Sequence, residues 1–102
     1  MSRRDQLQQL LRESPDDPFL RYALAMEERS GGDNQAALAA FDAVLAVDSR
    51  YVPAYFQKGQ VLAGLGRNEE ARQVLQDGIA VAERVGDAHA AGEMTEFLAS
   101  LE

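Results

Sequence analysis

Tyr55-Phe56-Gln57-Lys58-Gly59-Gln60-Val61-Leu62, with Asn68-Glu69-Glu70-Ala71-Arg72-Gln73-Val74-Leu75 shortly after it, is the stretch that decides the fold. Each half spaces its apolar and small residues three or four apart, the period of one helix face. Gly66 between them can take the positive φ that ends a helix tightly. As one unit, Tyr55, Lys58-Gly59, Leu62, Gly66, Ala71 and Leu75 have the spacing of a helix-turn-helix repeat with a period of 34 residues. A shift of 34 positions takes Gly59 to Ala25, Gly66 to Gly32, Ala71 to Ala37 and Leu75 to Phe41. Small residues meet small ones and large apolar residues meet large ones. A second shift takes Phe41 to Leu7, Val44 to Leu10 and Ser49 to Pro15, so the register extends over nearly three units.

Working outward, the same signals divide the rest of the chain into helices. Leu7, Leu10 and Leu11 give residues 3–13 one apolar face. Asp17 is a natural N-cap, and Pro18 suits the first turn of a second helix over 18–30, whose apolar side is Leu20, Leu24 and Ala25. Asp33-Asn34 opens a third helix over 35–47, with Ala37, Leu38, Phe41, Val44 and Leu45 as its stripe. Pro53 opens a fourth that ends at Leu65-Gly66, and Asn68 is the expected cap of a fifth. Gly86-Asp87 breaks the chain before a last helix carrying Ala90, Ala91, Met94, Phe97, Leu98 and Leu101. Six helices without a strand signal predict an all-α domain.

At 102 residues the chain is one domain, able to bury roughly 60–70% of the surface its unfolded form exposes. A composition of 46% hydrophobic and 26% charged residues is that of a globular protein. The net charge of −7 disfavours nucleic acid, whose phosphates would be repelled. There is no cysteine, so disulfides, a thiol nucleophile and thiolate zinc ligation are excluded. Asp5 and the glutamines after Leu7 interrupt any apolar leader behind Arg3-Arg4, and no run approaches the ~20 apolar residues of a membrane span. The expectation is a cytoplasmic protein with no membrane or nucleic-acid partner. A single lysine, Lys58, against an arginine and alanine bias points to a GC-rich genome.

The pattern Tyr55-x2-Lys58-Gly59-x2-Leu62…Gly66…Ala71-x3-Leu75 resembles the tetratricopeptide repeat family, as a small bacterial member. The resemblance implies antiparallel helix pairs stacked as a short right-handed α-solenoid. Residues 1–17 would form an N-terminal half-repeat, 18–51 and 52–85 two full repeats, and 86–102 a capping helix. Arg21 and Glu28 stand where the family usually has aromatic residues, and Ser49 and Glu83 replace its proline.

In this family the first helices of the repeats line a concave face that receives a peptide or helix of another protein. Carried over, the binding residues are Phe19, Tyr22, Met26 and Arg29 from the first unit, and Phe56, Gln57 and Gln60 from the second. The first four share one helix face, and aromatic, methionine and arginine side chains are enriched at interfaces. The competing reading packs Phe19 and Tyr22 against the N-terminal helix as core. A carboxylate clamp, which chaperone-binding members build from lysine and asparagine, is not expected with Tyr22 and Met26 in those places.

Two other classes have weaker support in the residues. An enzyme or phosphorelay protein would have to use His89, the only histidine, with Glu93 one turn on; that pair lacks the three ligands of a catalytic metal. Paired carboxylates such as Glu27-Glu28 and Glu69-Glu70 diverge by about 100° around a helix and read as solvated charge. A homodimer, through Met94, Phe97 and Leu98 of the last helix or through the groove, is the structural alternative. The expectation is therefore a binding module with no catalytic residue, metal or cofactor.

Overall fold

The structure, a computed structural model, describes residues 1–101; Glu102, the last position of the expected capping segment, lies outside them. Among the described residues there are six helices and no strand: α1 (Arg3–Glu13), α2 (Pro18–Ser30), α3 (Asn34–Val47), α4 (Val52–Gly64), α5 (Asn68–Val85) and α6 (Ala88–Ser100). This is the all-α helical-repeat architecture the sequence predicts. The described residues group into two compact units, one up to residue 49 with α1 to α3 and one from residue 50 with α4 to α6.

In the first unit α2 packs against both α1 and α3. Asp17 caps α2, its carboxylate accepting from the N–H groups of Phe19 at 2.9 Å and Leu20 at 3.2 Å. Asp33 caps α3 through the N–H of Ala36 at 3.0 Å. Ala25, Ala37, Phe41 and Val44 are fully buried. Leu20 and Leu24, expected to be the core of α2, are only half-buried. The buried positions of that helix are Ala25 and Glu28. Glu28 is held by the Nε of Arg4 at 2.9 Å, and its neighbour Glu27 by Arg3 at 3.3 Å, so α1 is fastened to α2 by two ion pairs. Leu7 of α1 is buried, whereas Leu10 is 46% exposed.

The second unit is built around Val52, Leu75, Val81, Ala82 and Met94, with Tyr55, Phe56, Ile79, Phe97 and Leu98 packed against them. Two glycines let its helices approach. A Cβ placed on Gly59 would meet Leu75 Cδ2 at 2.7 Å, and one on Gly78 would meet Tyr55 Cβ at 2.6 Å and Met94 Sδ at 2.8 Å. Asp87 caps α6 through the N–H of Ala90 at 3.0 Å.

The intra-repeat turns repeat bond for bond. Gly32 and Gly66 have φ of 83° and 77°. The N–H after each reaches back to close the preceding helix, Asp33 to Glu28 C=O at 3.1 Å and Arg67 to Leu62 C=O at 2.9 Å. These are Schellman ends, which satisfy carbonyls that would otherwise be orphaned. The same bond runs from Asp87 to Ala82 C=O at 2.8 Å at the end of α5. Each of these residues is also the N-cap of the helix that follows. The cap of α5 is therefore Arg67 and not Asn68, which is the first helical residue. Arg67 makes no side-chain cap bond; it pairs instead with Glu70 in the first turn, at 2.9 and 2.7 Å. Likewise α4 starts at Val52, one residue before Pro53.

Candidate partner-binding site

In the first unit the candidate residues lie along α2. Asp17 and Pro18 fix the first turn and leave Phe19 65% exposed. Tyr22 is half-buried, its ring 6.0 Å from that of Phe41 and tilted by 54°. This ring contact ties Tyr22 to α3. Met26 and Arg29 are half-buried, and Arg29 lies in the last turn, where a cation opposes the negative end of the helix dipole. The face presents an open aromatic ring, a ring held from behind, a flexible thioether and a guanidinium.

In the second unit Phe56 meets Phe97 of α6 edge to face, with ring centroids 6.0 Å apart and planes at 61°. Two adjoining hollows flank this pair. One of about 240 Å³ lies between the starts of α4 and α6, with Phe56, Gln57, His89 and Glu93 in its wall. The other, of about 320 Å³, is bounded by Phe56, Glu93, Glu96, Phe97 and Ser100. Phe56 and Gln57 are brought together there, whereas Gln60 lines neither hollow.

The contribution of α6 to this cleft escaped the sequence reading, which treated that helix as a cover. A signal was present. His89, Glu93, Glu96, Phe97 and Ser100 stand at i, i+4, i+7, i+8 and i+11, a second stripe beside the apolar one. On the apolar side Met94 is fully buried within its own unit. Phe97 and Leu98, the other two residues of the expected dimer face, are half-buried.

His89 Nε2 lies 3.3 Å from Glu93 Oε1, and both side chains are mostly exposed. Among the described residues no group of three or more histidine, aspartate or glutamate side chains is placed to hold a metal ion. No helix among them is long and apolar enough to cross a membrane.

With the helix pairs, the repeated turns and the small residues at the close approaches in place, the family follows. The tetratricopeptide repeat model matches residues 29–93, more than half of the chain, and the protein belongs to that family. Its relatives include a tetratricopeptide repeat-containing protein of Pseudomonas aeruginosa, 29% identical over 94% of this chain and 91% of that one. A tetratricopeptide repeat domain protein from Salinibacter ruber is 33% identical, with a TM-score of 0.81 over 86% of this chain and 89% of that one. The fold is shared more distantly with PcrH, solved in complex with the chaperone-binding region of PopD. That match has 17% identity and a TM-score of 0.89, over 96% of this chain and 74% of that one.

Proposed function

We propose that this protein is a non-catalytic interaction module that docks a peptide or helix of a partner protein on the faces of its first helices. The observation that carries the reading is the α2 stripe, in which Phe19 stands 65% exposed beside Tyr22, Met26 and Arg29. Leaving a ring of that size in water forgoes on the order of 1.5–3 kcal/mol of burial, which a docked segment would recover. In the second unit Phe56, Gln57 and Gln60 of α4 extend the same role. PcrH, which shares the fold, gives an instance of this architecture holding a segment of another protein. No cofactor or metal is required, and among the described residues no third side chain joins His89 and Glu93 to hold a metal ion. A cytoplasmic location agrees with the acidic, cysteine-free composition.

A pull-down from a lysate of the source organism, run with the wild type beside Phe19→Ala/Met26→Ala, tests the reading. Both side chains are partly or largely exposed, so circular dichroism should show the variant as helical as the wild type. A protein retained by the wild type and lost by the folded variant supports docking on α2. Equal retention of every captured protein removes α2 from the site. Micromolar affinity is expected for a surface this small, on the order of −8 kcal/mol.

A further inference from the structure

We propose that the cleft between α4 and α6 receives a cationic side chain, an arginine carried on an extended segment of a partner protein, with Phe56 and Phe97 as its floor and Glu93 and Glu96 as its counter-charges. This rests on the docking role above and adds the chemistry of the residue that is docked.

The two hollows of about 240 and 320 Å³ share Phe56 and Glu93, so they form one cleft centred on a single ring. Its described walls carry Asp87, Glu93 and Glu96 and neither a lysine nor an arginine. Of these carboxylates, Asp87 is occupied in capping α6, at 3.0 Å from the N–H of Ala90. Glu93 has only the exposed His89 at 3.3 Å. Glu96 has no hydrogen-bond or ion-pair partner among the described residues. Glu93 and Glu96 are three apart on one helix and therefore neighbours, a like-charged pair that an incoming cation relieves.

The floor has the same preference. Aromatic faces attract cations, and an edge-to-face pair leaves ring surface that the other ring does not cover. Arginine suits both elements, since its planar fork bonds carboxylates bidentately and stacks on rings. Other occupants fit worse. An anionic segment meets the three carboxylates and the field of a chain with net charge −7. A neutral apolar segment would strip water from Glu93 and Glu96 without replacing its hydrogen bonds. A second copy of this chain brings the same −7.

The test is a titration of the ¹⁵N-labelled full chain with three short amidated peptides, alternating alanine with arginine, glutamine or glutamate. The arginine peptide should shift the amides of α4 and α6 around Phe56, Glu93, Glu96 and Phe97, and the others should not. Glu93→Gln/Glu96→Gln should weaken that binding about fivefold or more, while Asp16→Asn/Glu83→Gln, with the same net charge, should change it less than about twofold. Shifts spread over the whole surface, or an affinity unmoved by Glu93→Gln/Glu96→Gln, would overturn the proposal as diffuse charge attraction. If the glutamine peptide binds the cleft as well as the arginine one, the cationic preference is wrong and the docking role survives. Concentration-dependent shifts of α4 and α6 without peptide would put a second copy in the cleft and overturn it too. Silence of the cleft toward all three peptides would remove both the preference and the role of α4.

Discussion

The Nε of Arg4 lies 2.9 Å from Oε1 of Glu28, a carboxylate whose side chain is only 8% exposed. One period later the equivalent buried position is Leu62. The first repeat thus carries a charge where the second carries a leucine, and α1 supplies the counter-charge. This explains how a departure from the family pattern is accommodated. It also makes α1 part of the first unit's stability.

Removing Arg4 strands the carboxylate. A fully buried pair broken in this way costs ~3–5 kcal/mol, but Arg4 is 55% exposed and water screens the interaction. Arg4→Ala should therefore lose about 1–2 kcal/mol in urea unfolding. Glu28→Leu should be neutral or stabilising, because replacing a buried charge with an apolar residue of similar volume often is. In that background Arg4→Ala should cost less than ~0.5 kcal/mol. A full-sized loss there would show that Arg4 acts through packing and not through Glu28.

Three glycines in helices respond differently to the same methyl group. At Gly78 the new Cβ would stand 2.6 Å from Tyr55 Cβ, an atom tied to the backbone that cannot swing away. Overpacking of this kind costs ~1–3 kcal/mol, against at most ~1 kcal/mol gained in helix propensity. Gly78→Ala should be net destabilising by about 1–2 kcal/mol. Gly59→Ala should lose less, because the obstacle is the branched end of Leu75. Gly92 has nothing within 4 Å, so Gly92→Ala should stabilise by up to ~1 kcal/mol. Thermal melts of the three variants would check the order, and a stabilised Gly78→Ala would refute the close approach.

The Arg67 guanidinium, bonded to both oxygens of Glu70, holds that carboxyl below the usual glutamate range. A carboxyl that is more acidic in the folded state stabilises the fold above its unfolded pKa of ~4.3, and loses that contribution as pH falls through the lower folded value. Urea midpoints of the wild type and Glu70→Gln should differ by a small, constant amount near neutral pH. The gap should close as pH falls below ~4 and shrink in high salt. A gap that widens on acidification would contradict the pairing.

The caps show how far local signals reach. Asp17 and Asp33 could be read as caps because an N-cap bond spans two or three residues. Asn68 meets the same local criterion and is not a cap. The Schellman end at Gly66 makes the very next residue the cap, so Arg67 occupies the place that Asp33 holds one period earlier. On α2 the common face of Phe19, Tyr22, Met26 and Arg29 was legible from the helical period, but their differing exposure was not.

The sequence by itself determined the helices, the 34-residue period and the small residues that recur with it, because these rest on spacing along the chain. The tertiary structure alone decided which side chains meet across helices: Arg4 with Glu28, Tyr55 with Gly78, Phe56 with Phe97. Phe56 and Phe97 are 41 positions apart, and no local rule pairs them. Their meeting follows from Met94, which turns α6 into the core and brings its adjoining acidic and aromatic stripe beside α4. A helix's periodicity shows which residues share a face; only packing fixes what that face will touch.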